Sequence, residues 1–172
     1  NIPCLTSIDT ANAIAASIRS KYTESTTEIV DINNMRTEKQ TFEFTKMQGC
    51  GNDYIYFNCF DQRIDNPEGL ALNLSDRHFG IGGDGVIYIQ KGKNADFEMV
   101  MYNADGSRGA MCGNGIRCVA KYCYDNGLTD KTSFTIESMG AVKYIDVNVE
   151  NGEVVSAKVD MGAPSLDKND VP

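Results

Sequence analysis

Residues 113–126 read Gly113-Asn-Gly-Ile-Arg-Cys-Val-Ala-Lys-Tyr-Cys-Tyr-Asp-Asn126, and this stretch decides the fold. Ile116, Val119, Ala120, Cys123 and Tyr124 recur at three- and four-residue steps, the signature of a helix, and Gly127 supplies its stop. Tyr122 beside Cys123 spreads the apolar surface over much of the circumference. A helix of that kind is enclosed by other elements instead of lying on a surface.

The segments on either side are those that would enclose it. Phe42–Met47, Tyr54–Phe60, Val86–Gln90 and Phe97–Tyr102 read as strands on their alternation or their aromatic and β-branched content. After the helix, Ser133–Glu137, Val142–Val149 and Val154–Met161 read as three further strands. Turns fall at Met139-Gly140 and Asn151-Gly152, the latter a strong hairpin signal. Pro67–Leu74 fits a short helix with proline at an early position. The expected class is α+β: a curved, mostly antiparallel sheet wrapped around one long central helix.

Residues 1–40 have a different texture. Ser7 can cap a helix carrying Ile8, Ala11, Ala15, Ile18 and Tyr22, and Thr27–Ile32 alternates weakly like a strand. Too few large apolar groups are present for a core, so this reads as an N-terminal extension (1–40) of unknown role before a domain at 41–172.

Composition narrows the function. The net charge is −8 without a basic cluster, which argues against a nucleic-acid partner. No apolar run approaches the roughly 18–20 residues that span a bilayer, and the first residues lack the pattern of a secretory signal. No membrane partner is expected. With only His78 and no Cys-x-x-Cys, zinc is not expected either. Cys112, Cys118 and Cys123 lie close in one helix, but no two are one turn apart. Reduced thiols in the cytoplasm are the simpler account of the six cysteines.

Glycine concentrates at Gly49-Cys-Gly51, at Gly80–Gly85 and from Gly106 to Gly115. The second cluster is neither a dinucleotide fingerprint nor a Walker loop, and alone reads as a tight turn. The third runs Asn103-Ala-Asp-Gly-Ser-Arg-Gly-Ala-Met-Cys112 and leads straight into the long helix. Cys112 therefore falls at the helix N-terminus, where free N–H groups and the positive end of the dipole favour a thiolate. The same amides, around Gly113, Asn114 and Gly115, can receive a substrate carboxylate. A thiol beside a carboxylate cradle suits proton transfer at an amino acid's α-carbon. Cys4, Cys59, Cys118 and Cys123 read instead as small core residues.

Three stretches resemble the motifs of the diaminopimelate epimerase family: Met47-Gln-Gly-Cys-Gly-Asn52-Asp-Tyr54, Asp76-Arg-His-Phe-Gly-Ile-Gly-Gly-Asp84-Gly85, and Asn103-Ala-Asp-Gly106 with Met111-Cys-Gly-Asn-Gly-Ile-Arg-Cys118. They occur in the family's order over about 41–164. The resemblance implies one half of a two-domain, pseudo-symmetric fold with the active site between the halves. It implies an isomerase that interconverts LL- and meso-diaminopimelate, for lysine and peptidoglycan precursors, using two acid–base cysteines and no pyridoxal phosphate or metal. By position, Cys112 is similar to the first catalytic cysteine. Gly113 and Asn114 match residues that bind the reacting carboxylate, and Asn52 and Asn103 match substrate-binding asparagines. Gly85 departs from members that carry Gln there to contact substrate. His78 has no role in this scheme and reads as a structural or surface residue. The second cysteine belongs to the family's C-terminal half, for which no motif occurs in these residues. That half is thus an expected partner, a homodimer is a further one, and the chain alone is expected to be inactive. Two other readings stay open: a racemase or isomerase of another amino acid, such as a proline-racemase-like or phenazine-biosynthesis-like protein, and a non-catalytic half-domain that retains the ligand cradle.

Overall fold

The computed structural model describes residues 41–164. The helix expected after Ser7 and the strand expected at Thr27–Ile32 lie outside them. Eight strands form one curled sheet: β1 (Thr45–Gly49), β2 (Asn52–Asn58), β3 (Gly85–Lys91), β4 (Phe97–Asn103), β5 (Arg108–Gly109), β6 (Ser133–Ser138), β7 (Ala141–Glu150) and β8 (Glu153–Val159). The spatial order is β1-β2-β3-β4-β6-β7-β8, with the short β5 paired to β4. Helix α1 (Pro67–Ser75) lies between β2 and β3 in the chain, and α2 (Gly113–Asp125) between β5 and β6.

Most pairings are antiparallel, as expected, but β2–β3 and β4–β6 are parallel. The reason is topological. Parallel neighbours require a crossover connection, and the two parallel junctions fall where a helix intervenes in sequence. Residues 42–44, expected to open the first strand, are outside the ladder; the rings of Phe42 and Phe44 pack against Phe57, each at 6.3 Å between centroids.

The alternation of side chains along β2–β4 divides two cores between the faces of the sheet. Tyr54, Tyr56, Ile87, Ile89, Met99 and Met101 face the cluster that also contains Ile116, Val119, Ala120 and Cys123 of α2. Ile55, Phe57, Val86, Tyr88 and Val100 face the other way, onto Ala71 of α1. Covered on both sides, β2 and β3 carry near-continuous apolar runs instead of alternating with polar residues.

Helix α2 is enclosed as its sequence implies. It packs against β1, β2, β7 and β8, and Ile116, Val119, Ala120 and Cys123 are fully buried. Its C-terminus closes as a Schellman motif: Leu128 N–H donates to the Cys123 carbonyl (2.9 Å) and Gly127 N–H to that of Tyr124 (3.0 Å). Gly127, at φ +72°, takes the left-handed position that this motif needs. Burial pushes the Cys123 thiol up to about 12 and that of Cys59 up to about 11, and raises Cys118 as well. All three suit packing, not chemistry. Both residues of the Met139-Gly140 and Asn151-Gly152 turns have positive φ, matching the twist of the hairpins they close. Among the described residues, no helix is long and apolar enough to cross a membrane.

Candidate active site

Cys112 is the N-cap of α2, with extended backbone at φ −136°, ψ 111°. Its sulfur accepts the Gly115 N–H at 3.2 Å and donates to Asn52 Oδ1 at 3.1 Å. One side chain thus spans the helix start and the first residue of β2, sixty positions away in the chain. Cys112 is half-buried, between the core and the open end of the sheet. Tyr54, almost fully buried, adjoins Cys112 and Asn52; burial first, then the neighbouring cysteine, push its phenol above the ordinary value.

Asn52 is held in turn. Its Nδ2 donates to Asp84 Oδ2 at 2.6 Å, and the same oxygen accepts the Asp53 N–H at 3.1 Å. Arg77 Nη2 bridges Asp84 Oδ1 (2.9 Å) and Asp53 Oδ1 (2.7 Å), and Lys46 pairs with Asp53 Oδ2 at 2.9 Å. The Arg77 guanidinium, then the Lys46 ammonium, hold the Asp53 carboxyl well below the usual carboxylate range, and Asp53 raises Arg77 in return.

The Gly80–Gly85 run builds this arrangement. Gly82 N–H donates to the Leu74 carbonyl (2.9 Å) and Gly83 N–H to that of Ser75 (3.1 Å), so the loop caps the C-terminus of α1. Those amides are spent on the helix, consistent with a tight turn. The loop then delivers Asp84 to Asn52 immediately before β3. Sequence reading quoted Asp84 and Arg77 within a motif without a role for either; the signal available was a carboxylate set between glycines.

The remaining expected site residues fall as follows. Gly113 and Asn114 form the first helical turn, where their N–H groups have no intrahelical acceptor. A Cβ built on Gly113 meets nothing within 4 Å, whereas one on Gly115 would lie 2.7 Å from Ile87 Cδ1 and 3.4 Å from the Cys112 sulfur. Gly115 is therefore a packing requirement and Gly113 is not. The Asn114 side chain accepts from Arg117 Nη2 at 2.7 Å. Asn103 is at the same end of the sheet, paired in register with Gly85 where β3 meets β4, but its side chain donates to Ser107 Oγ at 2.9 Å and does not reach Cys112. At Gly85 a Cβ would collide with the Tyr102 carbonyl, so the sheet itself keeps that position free of a side chain. His78 is exposed, its N–H bonded to Asp76 Oδ1 at 2.7 Å. A groove of about 430 Å³ lies between β1, α2 and β8, lined in part by Gln48, Asn114, Arg117, Lys121 and Ser156; of the expected site residues only Asn114 lines it.

A family model described as diaminopimelate epimerase matches residues 44–166. The chain belongs to the diaminopimelate epimerase family. Relatives named diaminopimelate epimerase include that of Agathobacter rectalis, 54% identical over 76% of this chain and 46% of its own length. That of Methanococcus maripaludis strain S2 is 51% identical over 76% of this chain and 47% of its own length. The chain thus spans about half the length of the curated relatives it matches. Solved structures share the fold at low identity. A hydroxyproline epimerase from Agrobacterium vitis with bound trans-4-hydroxy-L-proline gives a TM-score of 0.54 at 14% identity, over 67% of this chain and 40% of that one. A probable proline racemase from Agrobacterium radiobacter K84 with bound carbonate gives 0.57 at 12%, over 69% and 41%. The curled mixed sheet is therefore the fold shared with these epimerase and racemase structures.

Proposed function

We propose that the chain forms the N-terminal half of an enzyme that interconverts LL- and meso-diaminopimelate, supplying lysine and peptidoglycan precursors, with Cys112 as one of its two acid–base groups. One observation carries the reading: the Cys112 sulfur sits on the cap of α2 between a donor, the Gly115 N–H, and an acceptor, Asn52 Oδ1. A sulfur so placed has a partner in either protonation state. As a thiolate it takes the α-proton, the electron pair remaining on the α-carbon and its carboxylate. As a thiol it returns a proton to the same carbon. Inversion requires removal on one face and return on the other, and the family resemblance assigns the second group to a C-terminal half whose motif does not occur in these 172 residues.

The carboxylate of the reacting centre binds at the Gly113 and Asn114 N–H groups, where the helix dipole opposes the charge that develops in the transition state. Asn103 and Asn52 contact the substrate. Asn52 Oδ1 has two lone pairs and can accept from a substrate ammonium as well as from the thiol. This chemistry needs neither pyridoxal phosphate nor metal, and it needs Cys112 reduced, as the cytoplasm keeps it.

The test is loss of the α-proton signal of diaminopimelate in deuterated water. The longer polypeptide that includes the second half should exchange and epimerise, and Cys112→Ala should slow it at least about a hundredfold. The 172-residue chain alone should do neither. Exchange by the isolated chain at enzymatic rates, or full turnover in Cys112→Ala, would refute the proposal.

A further inference from the structure

We propose that Asp84 is a positioning residue for Cys112: its carboxylate fixes the Asn52 amide with Oδ1 facing the sulfur, so that the Cys112 S–H keeps an acceptor there. The inference rests on the acid–base reading of Cys112 above, and follows from the chemistry of one amide. The two ends of an asparagine side chain are nearly equal in size and opposite in character, one a donor and the other an acceptor. Which end meets the sulfur is therefore decided by what binds the far end. In this chain the far end meets Asp84 Oδ2 at 2.6 Å. A carboxylate only accepts, so the reversed amide would press two oxygens together at hydrogen-bond distance.

Two further hydrogen bonds hold Asp84 against turning away from such a clash. Oδ2 also takes the Asp53 N–H at 3.1 Å, and Oδ1 takes Arg77 Nη2 at 2.9 Å. Arg77 is anchored by Asp53, and Asp53 by Lys46. The order set by this network passes through one amide to Sγ. An oxygen at 3.1 Å stabilises S–H and opposes S⁻, while the Gly115 N–H at 3.2 Å does the reverse. A ligand ammonium that takes over Oδ1 removes the first influence and leaves the second. Release of the proton from Cys112 is thereby coupled to occupancy of the site.

Tyr54 and Tyr56 of β2 and Cys118 of α2 are titratable groups near Cys112. Burial raises all three above their ordinary values, so they stay neutral through the neutral range and do not obscure the readout.

The readout is the pH dependence of Cys112 alkylation by iodoacetamide, measured by mass spectrometry on the 172-residue chain. Trypsin releases Gly109–Arg117, in which Cys112 is the sole cysteine. Asp84→Asn allows the Asn52 amide to reverse and donate to the thiolate. The alkylation midpoint should then move to lower pH by about one unit, about a tenfold faster reaction below the midpoint. Removing the charge of Asp84 pushes the same way, so Asn52→Ala is made alone and combined with Asp84→Asn. Positioning predicts that Asp84→Asn has little further effect once Asn52 is gone. An unmoved midpoint, or an equal shift in the Asn52→Ala background, overturns the proposal. Should Asp84→Asn not fold, Asn52→Ala alone decides, because loss of the Oδ1 acceptor must lower the midpoint. Alkylation needs no substrate, so this result is separate from failure of the α-proton exchange test.

Discussion

Gly113 and Gly115 are two residues apart in the same helical turn, and replacing each by alanine should have opposite consequences. In both variants the unfolded chain loses the same freedom and the helix gains intrinsic propensity, up to about 1 kcal/mol. What differs is the native surroundings. A methyl on Gly113 enters open space, so Gly113→Ala should leave stability unchanged or raise it by up to about 1 kcal/mol. A methyl on Gly115 would lie 2.7 Å from Ile87 Cδ1, in a residue with no exposed surface, and 3.3 Å from Cys112 Cβ. Overpacking of that kind costs about 1–3 kcal/mol, which offsets the propensity gain and leaves Gly115→Ala less stable than Gly113→Ala by about 1–3 kcal/mol. Urea unfolding of the 172-residue chain measures both, and the difference between the variants cancels their shared unfolded-state effect. Turnover of the longer polypeptide gives the second half of the test. Gly113→Ala should lose activity while keeping its stability, because the methyl occupies the space that a carboxylate must enter to reach the amides. If Gly115→Ala proves as stable as Gly113→Ala, the packing argument fails. If Gly113→Ala turns over normally, the carboxylate does not bind there.

Ile116→Ala probes the enclosure of α2: Ile116 is fully buried, and its truncation should lower the unfolding free energy by about 2–5 kcal/mol in urea titration, whereas a loss below about 1 kcal/mol would mean that the sheet does not wrap the helix. Acid should weaken the domain through Asp53 and Asp96, whose carboxyls are held low chiefly by Arg77 and Lys131 respectively. Because the unfolded chain protonates these groups first, at about pH 4, their contribution is complete above that value and is lost as pH falls below it. The urea midpoint should follow this course, and Asp53→Asn should flatten it.

The features legible in the sequence depend on residues a few positions apart. The cap at Cys112, the Gly127 stop, the Asn151-Gly152 turn and the stripe of α2 all belong to this class, because helix termini and tight turns satisfy their backbone groups locally. The glycines of the third cluster could be counted but not told apart. That Gly115 is demanded by Ile87 and Gly113 by no neighbour depends on a strand some thirty residues earlier.

The sequence by itself determined most of the strand segments, which helix is central, and which motifs place the chain in its family, but not the two-residue β5. Only the tertiary structure decided that two strand pairs run parallel, that Asn52 meets the Cys112 sulfur, and that Asp84 orients the amide between them. The physical reason is distance along the chain. Periodicity and capping are set by neighbours within one or two turns, whereas the direction of a hydrogen bond across sixty residues is fixed only when the sheet has closed and the far end of the amide has found its partner.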